Sequence, residues 1–252
     1  MRFRPCIDIH KGKVKQIVGG SLDSGNCAKE NFISDKDASF YAELYREKGL
    51  SGGHIIMLDR QGTREYSLDT DQAIAALKAY PGGLQVGGGI TYITAPQFLS
   101  WGASHVIVTS AVFRDGRINE NALDRLVGTV GKEHLVLDLS VRCREGRYYV
   151  VTDRWTKFTD TELTPEVLAY FAGKCGEYLV HAVDVEGKQN GVDENVARIL
   201  SSSPIPVTYA GGIHTFDDID ILRRYGLDFT VGSALDIFGG TLPFREIAKY
   251  KG

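Results

Sequence analysis

Two glycine-rich motifs in this sequence have the composition of phosphate-binding loops. The first, VGGGI, contains Gly88 and Gly89, and the second, YAGGI, contains Gly211 and Gly212. Each motif closes a short apolar run that predicts a buried strand. Glycine lets the backbone approach a ligand without a Cβ in the way, and successive N–H groups form a nest that binds anions. A single motif of this kind would be equally consistent with a tight turn.

A serine follows each glycine motif at a matching distance. Gly88 and Gly211 lie 123 residues apart, and Ser110 and Ser233 are separated by the same 123 residues. This shared offset indicates an internal duplication. A serine at the start of a helix adds a hydroxyl donor to the positive end of the helix dipole. Two such sites half a chain apart predict a substrate with a phosphate at each end.

Two aspartates interrupt otherwise apolar runs. Asp8 lies in PCIDIH, and Asp138 lies in HLVLDLSV. A buried carboxylate is costly unless it is paired or reaches a cleft, so either residue alone could be a structural group bonded to lysine or backbone. Their separation of 130 residues is close to the offset of the repeat. Two opposed carboxylates between two phosphate sites favour acid–base chemistry, in which one group removes a proton while the other donates one.

The elements that must position these groups form a regular series. Eight strand-plus-helix units are predicted, and they begin at Phe3, His54, Leu84, His105, His134, Glu177, Pro206 and Asp228. Continuous apolar runs are typical of parallel strands covered by helices on both faces. Eight such units in about 250 residues predict an α/β fold, a (β/α)8 TIM barrel built from two duplicated halves. A doubly wound sheet is the alternative, but it would not require the half-chain repeat.

In such a barrel, Asp8 and Asp138 would lie near the C-terminal ends of opposite strands, where barrel enzymes place their active sites. We expect a single domain covering residues 1–252, because no linker or change in composition divides the chain. Thr70–Tyr80 is predicted as a helix with a Thr or Asp cap, and Thr215 is a candidate cap for a helix ending at Arg224. The segment Arg147–Trp155 is predicted to pair with the HLVLDLSV strand or to form a hairpin.

Composition and charge exclude several classes of function. The net charge of −3 gives no support for a nucleic-acid or membrane surface. No apolar run approaches the roughly 18–20 residues that span a bilayer, and the first ten residues lack the apolar segment of a secretory signal. The four cysteines are scattered without a CxxC pair, which favours free thiols in a reducing compartment. We therefore expect a cytoplasmic protein with no nucleic-acid or membrane partner and no metal site. A small molecule is the expected partner, and a monomer is the expected form.

Four further residues are weaker candidates. Trp155 lies in the polar stretch DRWTKFTD, where stacking on a planar ligand and folding back onto the barrel surface are both open. His181 lies within a predicted strand, where a lone histidine is more often a neutral structural group than a ligand. Asp59 and Asp184 also end apolar runs, and either could be ion-paired.

The combination of motifs resembles a known family of enzymes along essentially the whole chain. The chain is similar to the phosphoribosylformimino-aminoimidazole carboxamide ribotide isomerases of histidine biosynthesis, above all to their eukaryotic-type branch. The similarity is carried by PCIDIHKGKVKQIVGG, VGGGI, VIVTSAVF, HLVLDLSVR, VVTDRWTKFTDTEL, HAVDVEGKQNGVD, YAGGI and VGSALDIFGG. The resemblance implies an Amadori rearrangement without a cofactor, which opens an aminoaldose ribose phosphate and converts it to an aminoketose.

The resemblance also implies roles for individual residues. Asp8 matches the general base, which would take the C2 proton, and Asp138 matches the general acid, which would protonate the ring oxygen. Trp155 matches the aromatic residue that covers the imidazole of the substrate. The implied substrate is a bisphosphate, and its other contacts would come from Gly19, Gly20, Gly88, Gly89, Ser110, His181, Gly187, Gly211, Gly212, Gly232 and Ser233.

The chain departs from the bacterial pattern at two places. Thr91 stands where bacterial members usually carry arginine, and Glu186-Gly187-Lys188 stands where they usually carry DGT. The contacts of this second loop therefore stay open, including whether His181 replaces a hydroxyl residue.

Three alternatives remain at the level of sequence. The related cyclase, imidazole glycerol phosphate synthase, shares the barrel and both aspartates, but it normally carries a lysine where this chain has Gln16. A barrel that binds phosphorylated sugars without catalysis would gain nothing from two desolvated acids. Additional action on phosphoribosyl anthranilate is also open.

Overall fold

The computed structural model describes residues 1–17, 30–188 and 190–252. The strands in these ranges are β1 (Cys6–His10), β2 (Lys13–Ile17), β3 (Glu30–Ile33), β4 (Gly53–Met57), β5 (Leu84–Gly87), β6 (Val106–Val108), β7 (Phe113–Arg114), β8 (Arg117–Ile118), β9 (Leu135–Asp138), β10 (Val141–Arg144), β11 (Arg147–Thr152), β12 (Lys157–Glu162), β13 (Glu177–His181), β14 (Val207–Ala210) and β15 (Asp228–Phe229). The α-helices are α1 (Ala38–Glu47), α2 (Arg64–Ala79), α3 (Ala95–Ser100), α4 (Glu120–Val130), α5 (Pro165–Ala172), α6 (Glu194–Leu200), α7 (Phe216–Arg224) and α8 (Phe244–Ile247).

Eight of these strands form a closed parallel barrel. They follow the order β1-β4-β5-β6-β9-β13-β14-β15, and each is parallel to the next. Phe3 forms a parallel bridge with Phe229 of β15, and the N–H of Arg4 donates to the carbonyl of Phe229 at 2.8 Å. The chain just before β1 therefore closes the ring. The predicted (β/α)8 barrel is confirmed, and each predicted unit begins within three residues of a barrel strand.

Antiparallel strands are added to this ring. The strand β2 turns back beside β1 and pairs in turn with β3. The strands β10, β11 and β12 form a three-stranded antiparallel sheet after β9. The segment Arg147–Trp155 therefore contributes to a hairpin, which is the second of its two predicted arrangements. Its turn places Asp153, Arg154 and Trp155 beside the strand ends at the C-terminal end of the barrel.

Two helix starts illustrate the local chemistry. The predicted cap at Thr215 is confirmed, because its side chain accepts from the N–H of Asp218 while the Asp218 carboxylate accepts from the Thr215 backbone. The predicted start of α2 at Thr70 is wrong. Thr63 accepts from the N–H of Tyr66 at 3.2 Å and caps a helix that begins at Arg64, six residues earlier. The sequence REYSLD contains few apolar residues at helical spacing, so periodicity missed these turns.

The core lies in two places. The larger cluster packs between the barrel and its helices, and it includes Ile7, Ile55, Val86, Leu135 and Tyr178 among many others. A smaller cluster inside the barrel is contributed by neighbouring strands, and it consists of Ile107, Val136, Leu179 and Ala210 with Ile56 packed against it. The inside of the barrel is thus a packed floor, and ligands can reach only the rims of the strands.

A buried polar cluster connects the strands at their N-terminal ends. The Arg4 guanidinium lies 3.2 Å from Glu177 Oε2 and 3.0 Å from Asp228 Oδ2. Gln85 and Thr208 donate to the other oxygen of Glu177, at 3.1 and 3.2 Å. Burial raises the pKa of Glu177, while Arg4 opposes the rise. This end of the barrel is therefore filled by an ion-paired structural network.

Within residues 1–17, 30–188 and 190–252, no helix combines the length and the apolar character that crossing a membrane requires.

Candidate active site

A cavity of about 590 Å³ opens at the C-terminal ends of β1, β4, β5, β6 and β9. It is formed by strand ends and by the hairpin turn after β11. The predicted site residues that line it are Asp8, Gly88, Gly89, Ser110, Asp138, Trp155 and His181. The structure therefore brings the first glycine motif, its serine and both aspartates into one space.

A smaller cavity of about 50 Å³ lies beside it, at the ends of β13, β14 and β15. The predicted site residues that line this second space are Asp8, His181, Gly187, Gly211, Gly212, Gly232 and Ser233. Asp8, His181 and Glu186 line both cavities. These three titratable residues mark the centre of the site, with one glycine motif on either side.

We call Gly88, Gly89 and Ser110 the first cradle. Gly88 and Gly89 have φ angles of 98° and 67°, in the left-handed region that favours glycine. A Cβ on Gly88 would lie 2.0 Å from the Met57 carbonyl oxygen, so no other residue fits there. Tyr66 of α2 donates to the Gly88 carbonyl at 3.1 Å and holds the turn in place.

Ser110 completes the first cradle from the next strand end. It begins a short 3-10 helix at Ser110–Val112, directly after β6. The backbone N–H of Asp153 donates to Ser110 Oγ at 3.4 Å, which connects the cradle to the hairpin turn. Backbone N–H groups at the start of a helical turn, together with a hydroxyl group, suit a phosphate oxygen.

We call Gly211, Gly212, Gly232 and Ser233 the second cradle. Gly211 and Gly212 have φ angles of 119° and 74°, close to those of the first cradle. A Cβ on Gly211 would lie 2.8 Å from the Ala182 carbonyl oxygen, and one on Gly212 would lie 2.0 Å from the Gly191 carbonyl oxygen. The matching backbone conformation is the structural counterpart of the 123-residue repeat.

Asp8 lies near the end of β1, opposite the Ile56 position of β4. Burial raises the pKa of Asp8 to about 7, although the nearby His181 acts in the opposite direction. Gln16 Nε2 donates to Asp8 Oδ2 at 3.5 Å. A carboxylate with a pKa near neutrality is suited to accept a proton from carbon and later release it.

Asp138 ends β9, four barrel strands away from β1, and it is held by polar partners. Ser140 donates its Oγ–H and its backbone N–H to Asp138 Oδ1, at 2.5 and 3.0 Å. Burial alone would raise the pKa of Asp138, but the hydrogen bond and positive charge of His181 and the two donors of Ser140 outweigh it and hold the pKa below its usual value. Asp138 is therefore ionised at neutral pH.

His181 ends β13 between the two aspartates. Its Nδ1 lies 3.6 Å from Asp138 Oδ1 and 3.2 Å from Ser140 Oγ. Burial would lower the pKa of His181, but Asp138 above all, with Glu186 and Asp8, raises it to about 9. Sequence reasoning treated this histidine as a weak candidate, whereas the structure makes it the cation among three carboxyl groups.

Trp155 lies in a strained turn over the larger cavity. Asp153, Arg154 and Trp155 have φ angles of 51°, 58° and 68°, and the left-handed region costs a non-glycine residue roughly 1–2 kcal/mol. The Trp155 ring lies 5.5 Å from the His181 ring, centroid to centroid. The indole therefore faces the larger cavity, although Trp155 lies in a polar stretch of the sequence.

Glu186 is the site residue that the sequence analysis did not select as a functional group. It follows β13 in the loop that departs from the bacterial pattern, and its buried Oε2 has no hydrogen-bond partner among the described residues. Burial raises its pKa, while His181 opposes the rise. A Cβ on Gly211 would lie 3.3 Å from that oxygen, so the carboxyl group borders the second cradle. No sequence motif predicts a functional role for Glu186, because its place in the site depends on the path of the loop between β13 and β14.

The two remaining weaker candidates, Asp59 and Asp184, both have polar partners, and the partner of Asp184 is a cation. Asp59 Oδ2 lies 3.1 Å from His10 Nδ1, and Asp184 accepts from Arg142 Nε at 3.2 Å. Gly19 and Gly20, which were predicted to contact the substrate, lie outside the described residues.

The comparisons with known proteins agree with this geometry. The family model described as histidine biosynthesis protein matches residues 2–241. A chloroplastic protein of Medicago truncatula is 52% identical over 99% of this chain and 81% of its own length. Proteins of Neurospora crassa and Saccharomyces cerevisiae are 45% and 40% identical, over 95% and 96% of this chain and 93% and 94% of their own lengths. All three are named 1-(5-phosphoribosyl)-5-((5-phosphoribosylamino)methylideneamino)imidazole-4-carboxamide isomerase. With the family model covering nearly its full length, the chain belongs to the histidine biosynthesis protein family.

Proposed function

We propose that this protein is an isomerase that acts in L-histidine biosynthesis. Its substrate is N′-((5′-phosphoribosyl)formimino)-5-aminoimidazole-4-carboxamide ribonucleotide, and its product is the phosphoribulosyl form. The observation that supports this most strongly is the pair of matched glycine cradles on either side of a shared acid–base centre. A bisphosphate substrate would extend from one cradle to the other and place its reacting ribose between them.

The proposed reaction is an Amadori rearrangement. A proton is donated to the furanose ring oxygen, the C1–O bond breaks, and the nitrogen lone pair forms the C=N bond of a Schiff base. A base then removes the C2 proton to give an enolamine. Return of a proton to C1 and loss of the C2 hydroxyl proton give the aminoketose. Every step transfers a proton and the reaction is redox-neutral, so we propose that it needs no cofactor.

Asp8 is the proposed general base. It lies where both cavities meet, and its raised pKa of about 7 makes it a stronger base than an ordinary carboxylate. Its carboxylate would accept the C2 proton. A positioned base of this kind typically contributes about 10²–10⁴-fold to the rate.

Asp138 is the proposed acid, acting together with His181. Asp138 itself is ionised at neutral pH because of its lowered pKa, whereas the adjacent His181 holds a proton up to about pH 9. We propose that the pair acts as one unit: His181 carries the proton toward the ring oxygen, and Asp138 orients the imidazole and stabilises its charge. Glu186 is the competing proton donor, because its raised pKa also favours the protonated form.

The cyclase alternative is less well supported. Its lysine position is occupied by Gln16, which is buried and directed at Asp8. A neutral amide provides no cation at that point. A barrel that only binds phosphorylated sugars would not explain the raised pKa of Asp8, because a binding protein gains nothing from a desolvated acid.

The test is an assay of the purified protein with the aminoaldose bisphosphate, coupled to a cyclase–glutaminase enzyme that consumes only the ketose. Turnover that disappears in both Asp8→Asn and Asp138→Asn would support the proposal. Tight substrate binding by calorimetry without turnover would refute it in favour of a binding protein. Consumption of the ketose by this protein with added ammonia would make it the cyclase. Phosphoribosyl anthranilate serves as a second substrate in the same series.

We further propose that the chain acts as a single-domain monomer in the cytoplasm. Asp8, Asp138 and both cradles come from one chain, so a second copy is not needed to complete the site. Light scattering after size-exclusion chromatography would test the monomer, and a stable dimer at working concentration would contradict it. Imaging of the tagged protein in its own cells would test the compartment.

A further inference from the structure

Gln16 connects the proposed base to the second cradle. The strand β2 runs antiparallel to β1, with Ile9 opposite Val14 and His10 opposite Lys13, so that Gln16 lies beside the first half of β1. Its side chain is buried, with only 4% of the residue exposed. Gln16 Nε2 lies 3.5 Å from Asp8 Oδ2 and 3.9 Å from Cys6 Sγ. The amide nitrogen is therefore aimed at the carboxylate of Asp8.

The other end of the same amide lies against the second cradle. A Cβ on Gly232 would lie 2.2 Å from Gln16 Oε1. The glycine at position 232 thus provides the space that the amide occupies. Both Gln16 and Gly232 line the smaller cavity, together with Asp8. One planar side chain fills the gap between the general base and a phosphate site.

We propose that Gln16 is a positioning residue, which fixes the Asp8 carboxylate relative to the second phosphate site and does so without adding charge. This proposal rests on the isomerase function proposed above. The amide N–H group restrains the carboxylate, and the contact at Gly232 fixes the amide. Movement of the second cradle would be transmitted through Gln16 to the base.

The neutrality of this residue is as important as its shape. The titratable groups that face Asp8 are His181 at the end of β13, Glu186 in the following loop, Cys6 on β1 and Tyr45 on α1. His181 is the cation of this set, and it is already shared with Asp138. A cation at position 16 would hold Asp8 ionised and weaken it as a base. An anion there would repel both Asp8 and a bound phosphate.

The experiment compares Gln16→Lys, Gln16→Met and Gln16→Glu with the wild type. In each, kcat/KM is measured against pH, and the acidic limb reports the ionisation of the base. We expect Lys to shift this limb to lower pH by roughly 1 unit or more, and Glu to shift it to higher pH. Met, which has a similar length and volume but no hydrogen-bond donor, should lower kcat more than it changes KM. The matched control is Gln97→Lys on the exposed face of α3, which should leave the limb in place.

A direct titration separates this proposal from the function on which it rests. The pKa of Asp8 is measured by carboxyl carbon NMR on protein labelled at aspartate, with Asp8→Asn to assign the signal. In this titration the pKa of Asp8 should be lowest in Gln16→Lys, intermediate in the wild type and highest in Gln16→Glu, even if the assay shows no turnover. A pKa of Asp8 that is the same in all variants would overturn the role of Gln16 while leaving the isomerase intact. If Gln16→Lys does not fold, the Met and Glu variants still carry the comparison.

Discussion

The imidazole Nδ1 of His181 lies 3.6 Å from Asp138 Oδ1, and the hydroxyl group of Ser140 lies within reach of both. This relationship connects the ends of two neighbouring barrel strands, β9 and β13. It shifts the two pKa values apart: that of Asp138 is lowered, so the carboxylate stays ionised, and that of His181 is raised to about 9, so the histidine is protonated at neutral pH. The acid side of the site is therefore an ion pair with one transferable proton.

Replacement of His181 by Asn should lower kcat/KM by about 10²–10⁴-fold, because the proposed proton donor is lost. In the wild type, activity should fall as the pH rises through about 9, where His181 loses its proton. This alkaline limb should be absent from His181→Asn. The measurement is the pH profile of kcat/KM, with His134→Asn on the exposed surface as the control. If the limb persists in His181→Asn but vanishes in Glu186→Gln, the proton belongs to Glu186.

Replacement of Asp8 by Asn should stabilise the fold while it removes activity. Asp8 loses its proton near pH 4 in the unfolded chain and near pH 7 in the folded protein. Between these values the folded chain binds more protons, so its stability falls as the pH rises, and the full cost is present above pH 7. An uncharged Asn at position 8 avoids this cost of burying an ionised carboxylate. The difference of about three units between the folded and unfolded pKa values corresponds to at most about 4 kcal/mol of unfolding free energy.

The stability test is urea unfolding of the wild type and Asp8→Asn at pH 4 and pH 8. The variant should gain free energy of unfolding at pH 8 and little at pH 4. An equal difference at both values would show that the pKa of Asp8 is the same in the folded and the unfolded chain. Activity in the same preparations provides the link to function, since a strained catalytic group commonly reduces stability.

Much of the fold follows from local pattern alone. The eight barrel strands are predominantly apolar, and the glycines that follow β5 and β14 have φ angles that favour glycine. The start of α2 was missed because its first two turns carry few apolar residues and depend on the Thr63 cap. The pattern of apolar residues predicts helices and strands that bury an apolar face. It does not predict the first residue of a helix whose start is set by a polar cap.

The site was less predictable than the fold. Asp8 and Asp138 were visible because a carboxylate inside an apolar run is unusual. The raised pKa of His181 was not visible, since it depends on carboxyl groups from other strands. Glu186 and Gln16 were noticed in the sequence only as departures from related enzymes. Their roles depend on how β2 and the loop after β13 return to the C-terminal end of the barrel. Residue spacing in the sequence does not predict these paths.

Replacement of Ser233 by Asp should raise KM with a smaller effect on kcat. The new carboxylate would lie in the second cradle and repel the phosphate that binds there. Ser110→Asp in the first cradle should behave in the same way, because the two cradles share one backbone conformation. The measurement is KM for the bisphosphate at constant ionic strength. Ser202→Asp, on an exposed turn after α6, is the control. An unchanged KM in Ser233→Asp would remove the second cradle from the substrate site.

Replacement of Arg4 by Met should reduce stability without changing catalysis. Arg4 is buried and pairs with both Glu177 and Asp228 at the N-terminal end of the barrel, opposite the site. Its loss leaves the buried Glu177 without its cation, whereas Asp228 keeps the salt bridge with Arg2 at 3.0 Å. Breaking a buried pair in this way typically costs about 3–5 kcal/mol. The other donors to Glu177, Gln85 and Thr208, would soften that cost but carry no charge.

The control for Arg4→Met is Arg147→Met, which breaks an exposed pair with Glu162. Such pairs contribute about 0–1 kcal/mol, so its unfolding curve should stay close to that of the wild type. Urea unfolding gives the free energies, and the coupled assay on the folded fraction gives kcat and KM. A stability loss in Arg4→Met with unchanged kinetics would establish that the two ends of the barrel are separable, one for closure and one for chemistry. A loss of kcat in the folded variant would show instead that closure at Phe3 and Phe229 also sets the position of β1, and with it Asp8.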